Sequence, residues 1–529
     1  MRSRQTIPAL EIAGLVLIIM ATIVFVGQMG NFSQSRQQMP TSLELGGVPV
    51  GGLNRVEAQA ILEQVYGAPV SVVYRDQDIR LDPRQVNFVV NSQAMLARAD
   101  ELRTEGGTFW SGFWDYIWRR PEQTYTVELD ASYSRELLEA WLQDVAMRYD
   151  SPPTDPVANL DTLSFEPGEP GYTLDVEASM ALLDDALLRP TNRTVSLVLD
   201  EKEQGDATLD GLETLLVDYI TASGFSGVVS VVVIDLETGD EIDLNVDTRG
   251  GPPQMVTCDI AYAGMSTMKI PIMMDFMRFL DGTPSPESND YEILYNTMTA
   301  SGNISANFMM QRTGRESLDR GMERVNNLLG FLGLDNTFIA VPYEVEEDPE
   351  YYSTPAREAA RSGACVNTQP DPSMQTTTSD LAHMLDMIYQ CAEFNGGALR
   401  AAYPEAITQD ECGMMLDAMA DNEEGVLIMA GLPTDVDVAH KHGWIADTHG
   451  DAGVVFSPGG DYALVTMVWA NTDWLNFQDS FPVIADISAA AFNYFNPALV
   501  DEPRRGLSPV ETGDSPPPPS TDDTEEGEQ

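Results

Sequence analysis

The sequence predicts an α/β (α+β) protein in which small α+β modules precede a larger unit of apolar strands and amphipathic helices, behind one apolar N-terminal helix. Three observations predict it. Hydrophobic residues make up 43% of the 529-residue chain, enough for several buried cores. Strand-like and helix-like periodicities alternate along most of its length. A mostly apolar run, Ile7 to Val26, opens the chain. The charge balance is extreme, 29 Lys+Arg against 83 Asp+Glu for a net −54. It argues against a nucleic-acid or anionic-membrane partner, and the apolar content argues against general disorder. Reading every row for lysine finds only Lys202, Lys269 and Lys441, so any lysine in this arginine-using chain needs a reason.

In chain order, Arg2 and Arg4 precede the apolar run, whose uninterrupted part is Ile12 to Val26. Positive charge before a span places the N-terminus in the cytoplasm and the remainder outside. No Ala-x-Ala-like site follows, which favours an uncleaved anchor over a cleaved signal. The expected organisation is a cytoplasmic stub and transmembrane anchor over 1–30, a linker over 31–45, two α+β modules over 46–203, a catalytic unit over 204–499 and a disordered acidic, Pro-rich tail over 500–529. The first module pass runs from Val48 through a helix at Arg55 to Tyr66 and strands at Val70 to Tyr74 and Val86 to Val90. The second has strands at Thr124 to Leu129 and Thr194 to Leu199, with helices at Ser134 to Met147 and Val176 to Leu188 between them. Cys258, Cys365, Cys391 and Cys412 are free to pair outside the cell in any of three ways. No CxxC or Cys/His ligand spacing occurs, so structural zinc is not expected; no other metal and no cofactor is assigned. His383, His440 and His449 read as scattered structural or surface residues.

The chemistry concentrates after Leu212. Ser266 and Lys269 are three apart, hence on one face of a helix and within reach of each other. A serine hydroxyl needs a base to become a nucleophile; a desolvated lysine can serve, and an arginine cannot. Downstream, Ser301-Gly-Asn303 lies on a loop before a helix, and Lys441-His442-Gly443-Trp444 precedes two strands, Ala452 to Phe456 and Tyr462 to Trp469, joined by a Pro458-Gly-Gly460 turn. Two of the three lysines thus fall in one coherent set.

These three motifs, in this order, resemble Ser-x-x-Lys, Ser-Asp-Asn and Lys-Thr-Gly of the class A β-lactamase and penicillin-binding-protein superfamily, over roughly Leu209 to Asn496. The resemblance implies an antiparallel sheet flanked by helices with a helical subdomain, and an acyl-serine mechanism. In it Ser266 would attack an amide carbonyl with Lys269 as base, and Ser301 would pass the proton to the leaving nitrogen. Asn303 would hold the substrate's amide side chain, and Lys441 its carboxylate. The backbone N–H groups of Ser266 and Trp444 would bind the oxyanion, and Gly443 would let substrate lie along the strand. The implied substrates are β-lactams or the peptidoglycan stem peptides they mimic.

Three departures keep a cell-wall D,D-peptidase and a degenerate wall-binding or sensor protein open as alternatives. Gly302 stands where the family has an acid, and His442, still able to donate a hydrogen bond, stands for a small hydroxyl residue. No Glu-x-x-Leu-Asn pattern supplies the deacylating carboxylate, for which Glu344 is the best-placed substitute. Upstream, Gly46-Gly-Val-Pro-Val-Gly-Gly-Leu53 and Phe165-Glu-Pro-Gly-Glu-Pro-Gly171 resemble the peptidoglycan-binding module of VanW-like and L,D-transpeptidase-like surface proteins, which implies peptidoglycan as a partner; a plain spacer is the competing reading.

Overall fold

The computed structural model describes residues 9–105, 108–120, 124–422 and 427–506. The N-terminal arginines and the tail from 507 onward lie outside the described residues. The chain divides into two units. One comprises residues 1–154 and 169–204, the other 155–168 and 205–529.

The first unit begins with the helix Ala9–Ser35, whose stretch Ala13–Ser35 is long and apolar enough to cross a membrane. Two small cores follow, each under a three-stranded sheet. The helices Arg55–Tyr66, Arg135–Tyr149 and Val176–Leu187 form as the periodicity predicts. Asn54 starts the first with a reciprocal cap, its side chain accepting from the N–H of Glu57 while Glu57 accepts from the N–H of Asn54. The two sequence passes, however, are not two separate modules. Leu43–Leu45, which the sequence placed in the linker, is a strand that pairs antiparallel with Val48–Pro49 of the first pass and in parallel with Tyr125–Val127 of the second, and Val70–Tyr74 pairs in parallel with Thr194–Ser196, so each sheet takes a strand from both passes. The helices Ser92–Glu105 and Phe109–Ile117 fill a stretch where the sequence reading assigned nothing.

The second unit is built on a six-stranded antiparallel sheet. Its order is Gln254–Met255, Glu241–Asp247, Val228–Asp235, Tyr462–Trp469, Thr448–Phe456, Asp437–Trp444, which leaves Asp437–Trp444 at one edge. Val228–Asp235, rich in Val and Ile and interrupted by Ser230, is buried on both faces. One face packs against the helices Leu209–Ala222 and Phe477–Phe495. The other packs against the helical subdomain that includes Lys269–Phe279, Asn303–Thr313 and Thr378–Phe394. Disulfides join Cys258 to Cys365 and Cys391 to Cys412, one of the three pairings open from sequence.

Other boundaries differ from the sequence reading as well, among them the first helix, which runs to Ser35 instead of ending at residue 30. The hairpin of Val157–Asn159 and Ser164–Glu166 belongs to the second unit, where the Asn493 side chain donates to the carbonyls of Thr162 and Leu163 at 3.1 and 2.9 Å and Phe165 meets Tyr494 edge-on. Residues 501–506, assigned to the tail, are ordered: the N–H groups of Arg505 and Gly506 donate to the carbonyls of Leu432 and Ala430, both at 2.9 Å. Composition missed this because backbone pairing needs no apolar side chain.

Candidate active site

Ser266 sits in a short 3-10 turn, Met265–Met268, that runs into the helix Lys269–Phe279. Met265 is held at φ 49°, a conformation costly for a side-chain-bearing residue, and this places Ser266 at the head of the helix. Ser266 is half-buried while Thr267, Met268 and Lys269 behind it are fully buried, so the hydroxyl is the reachable group of the turn.

Lys269 organises the centre. Its Nζ lies 2.7 Å from Ser266 Oγ, 2.8 Å from the Ser301 carbonyl, 3.0 Å from Ser301 Oγ and 2.8 Å from Asn303 Oδ1. An ammonium has three protons for these four acceptors. A neutral amine gives a consistent alternative, with two N–H groups donated to the Ser301 carbonyl and Asn303 and the lone pair accepting from the Ser266 hydroxyl. The surroundings favour that state. Burial, and next the charge of Lys441, push the Lys269 pKa down to about 7 against the opposing pull of Glu344.

Ser301, itself at φ 53°, donates to Ser266 Oγ at 3.0 Å, which closes a Ser266–Lys269–Ser301 triangle. The absence of an acid at Gly302 has a steric reason. A Cβ there would lie 2.3 Å from Asn296 Oδ1 and 2.4 Å from Ser305 Oγ. The loop is braced instead by the Gly302 N–H donating to the Asn296 carbonyl at 3.2 Å and by Ser305 Oγ donating to the Gly302 carbonyl at 2.9 Å.

The edge strand forms the opposite wall. A Cβ on Gly443 would stand 2.7 Å from the Ser266 nitrogen and 2.9 Å from Met265 Cβ, so only glycine lets the strand approach the Ser266 backbone this closely. Lys441, two residues earlier on the same face, is fully buried and donates to the His442 carbonyl at 3.1 Å. Alternation along the strand turns the His442 ring to the opposite face, where it stacks on Trp444 at 4.9 Å and 12°. The expected donation from His442 toward substrate is therefore corrected: its ring is buried, away from Ser266.

Glu344 is brought to the rim by a hydrogen bond accepted from Asn303 Nδ2 at 3.0 Å. Sequence reasoning passed over its neighbour. Tyr343 donates its hydroxyl to the Met265 carbonyl at 2.7 Å and lays its ring 4.8 Å from Lys269 Nζ, so it both holds the strained residue and covers the amine. Asn307 fixes Tyr343 by bonding both its N–H and its carbonyl, at 3.1 and 2.8 Å. No local spacing in the sequence marks either residue.

Behind the edge strand, His440, His442 and Asp451 place ligand-type atoms within 4.8 Å of one another, and His449 lies on the same side. These histidines are clustered, not scattered. The Asp451 carboxylate already accepts from His440 Nδ1 at 3.0 Å, from the Ile428 N–H at 3.2 Å and from the Ala452 N–H at 3.0 Å, as a structural hydrogen-bond centre would. Burial alone would raise the Asp451 pKa, but the His440 and His442 charges and the His440 bond outweigh it and hold the carboxyl low. A metal here would have to displace those donors.

Against known families, residues 287–495 match the model of the Beta-lactamase enzyme family. Those residues belong to the β-lactamase enzyme family. The matched segment starts after Ser266 and Lys269; the hydrogen bonds to Ser301 and Asn303 tie those two residues into the same domain. This β-lactamase-family domain is accordingly a serine hydrolase by family. Residues 79–196 match a "Putative peptidoglycan binding domain". No curated protein matches the chain. Among solved structures, PBP-A is 20% identical, with 55% of this chain and 98% of that chain covered and a TM-score of 0.39. A β-lactamase from Sphaerobacter thermophilus is 15% identical (55% and 98% covered, TM-score 0.37), and TLA-1 extended spectrum β-lactamase is 19% identical (54% and 98%, TM-score 0.36). At those scores the likenesses add nothing to the family match.

Proposed function

We propose that the chain is a membrane-anchored, extracytoplasmic serine hydrolase that opens β-lactam amides through an acyl-Ser266 intermediate. The observation that carries this reading is the buried Lys269 Nζ, 2.7 Å from Ser266 Oγ and with its pKa lowered to about 7. Ser266 Oγ attacks the carbonyl carbon as its proton passes to Lys269, and the negative charge moves to the carbonyl oxygen between the N–H groups of Ser266 and Trp444. When the C–N bond breaks, Ser301 hands a proton to the departing nitrogen and regains one from Lys269. Lys441 attracts the substrate carboxylate, and Asn303 holds its amide side chain. Water then attacks the ester carbonyl, its proton taken up by Glu344 and returned to Ser266. The apolar first helix and two disulfides suit an exported, oxidising location with the N-terminus cytoplasmic. The segment 79–196 would hold the enzyme on peptidoglycan.

One observation favours a second reading. Glu344 is exposed and bonded to Asn303 rather than to Ser266 or Lys269, which suits slow deacylation and a penicillin-binding or D,D-peptidase role. The test uses the detergent-solubilised full chain with a chromogenic cephalosporin and a fluorescent penicillin, and Ser266→Ala as control. Sustained colour marks a β-lactamase; stoichiometric label without sustained colour, with release of D-Ala from a stem peptide, marks the peptidase. The degenerate, non-catalytic reading predicts no Ser266-dependent signal on any of the three. Because Lys269 must be neutral to accept the proton, acylation should rise with pH through a midpoint near 7. Lys441→Gln should move that midpoint upward, because it removes a charge that lowers the Lys269 pKa.

A further inference from the structure

The helix Phe109–Ile117 reads Phe-Trp-Ser-Gly-Phe-Trp-Asp-Tyr-Ile and is capped by Trp118. At 100° per residue its side chains fall into three groups. Phe109, Gly112, Phe113 and Tyr116 meet the apolar helix Ala9–Ser35. The Phe32 ring lies 5.3, 5.6 and 5.4 Å from the Phe109, Phe113 and Tyr116 rings, and a Cβ on Gly112 would touch it at 3.3 Å. Ser111, Asp115 and Arg119 make a polar edge. The third face carries Trp110, Trp114 and Trp118, four residues apart and 52%, 49% and 70% exposed.

Three exposed tryptophans in one row, next to a helix able to cross a bilayer, form a patch that a water-facing surface would not keep without a partner. Its height along the first helix identifies that partner. Phe113 also meets Phe25, at 5.2 Å, where the uninterrupted apolar run is ending. Phe32 lies seven residues, about 10 Å, further along. There Gln28, Asn31 and Gln34 interleave with apolar residues, and the Arg36 guanidinium stands 5.7 Å from the Phe109 ring. That level is where a bilayer passes from hydrocarbon to headgroups, and amphipathic indole rings collect at it.

We infer that the helix Phe109–Ile117 is a second membrane contact, docked on the anchor helix with its Trp110, Trp114 and Trp118 face in the headgroup–acyl boundary of the outer leaflet. The inference rests on reading Ala9–Ser35 as a membrane anchor. The partner is the lipid surface itself, engaged through indole rings, so zwitterionic phosphatidylcholine suffices despite the acidic chain. The consequence is that the helix Phe109–Ile117, about 70 residues beyond the anchor in the chain, is held at the membrane rather than free to swing.

The test reconstitutes the full chain, one copy per nanodisc, in phosphatidylcholine brominated either at shallow or at deep acyl positions. Wild type is compared with the triple variant Trp110→Phe, Trp114→Phe, Trp118→Phe, which keeps the apolar packing. Three of the seven tryptophans are on this face. We expect shallow bromine to quench about a third of wild-type emission, deep bromine to quench less, and the triple variant to lose the difference. Equal quenching of wild type and variant, with both chains resisting carbonate extraction from vesicles, overturns the membrane contact and leaves the anchor standing. Carbonate extraction of wild type overturns both. Cross-linked dimers of the full chain that vanish in the triple variant, with no shallow quenching, overturn it in favour of a second copy.

Discussion

On one face of the edge strand Asp437–Trp444, Lys441 and the bare Cα of Gly443 look toward Ser266; on the other, His440 and His442 turn into a closed polar cluster with Asp451. Both sets are buried, and both consist of groups that titrate or bind ions in other settings. They differ in what remains available. On the front, the amine of Lys269 is desolvated, meets more acceptors than it has protons and has its pKa lowered to about 7. On the back, each Asp451 oxygen is spoken for by N–H groups, which makes a rigid support. One strand therefore carries reactivity and its own scaffold on alternate residues.

Breaking the back face should cost stability and spare chemistry. His440→Ala would leave the Asp451 carboxylate buried with only backbone donors, and urea titration should show a loss of about 3–5 kcal/mol. Penicillin labelling of Ser266 in the folded fraction should change little. A drop in acylation as large as the drop in stability would erase the distinction between the two faces.

The second prediction concerns acid. Burial lowers the His449 pKa to about 4, and its ring meets Ser480 Oγ at 2.6 Å. Because the folded pKa lies below the ordinary 6.5, the ring contributes stability that is complete above about pH 6.5 and lost as pH falls toward 4. The full shift corresponds to about 3 kcal/mol at the acid end. Denaturant melts of His449→Gln against wild type should therefore converge as pH is lowered across that window, wild type losing its advantage; parallel curves would show that His449 does not set the slope.

The front face should fail in the opposite sense. Gly443→Ala places a methyl 2.7 Å from the Ser266 nitrogen and forces the strand away from the nucleophile. Misaligning the oxyanion donors should reduce kcat/KM for a cephalosporin by about 10²-fold, some 2.7 kcal/mol, with a smaller effect on the melt. Near-normal turnover would mean that the strand relaxes without moving the Trp444 N–H.

The same contrast separates what was legible in the chain. Ser266 and Lys269 could be read because three residues along a helix is one face, and because lysine is scarce. Ser301 and Asn303 could be read as a motif in a fixed order. Tyr343 and Asn307 could not. Tyr343 meets Met265 across 78 residues and Asn307 across 36, and no local periodicity records such contacts. The histidine cluster was half legible, since His440 and His442 are two apart on a strand, but Asp451 joins them only through the register that pairs it with His442.

The N-terminal unit makes the point more sharply. Its helices follow from periodicity and caps, whereas its sheets take strands from both sequence passes, because parallel pairing brings together segments separated by more than 80 residues and only the completed cores select the partners. Sequence by itself determined the class of fold, the apolar first helix, the three motifs and the scarcity that singles out two lysines. Tertiary structure alone decided the desolvation that lowers the Lys269 pKa, the side of the strand on which each histidine lies, the disulfide pairing and the bracing of Gly302. The reason is physical: propensity and spacing act over a turn or a strand, while burial, charge proximity and steric contact depend on which distant segments the core finally packs together.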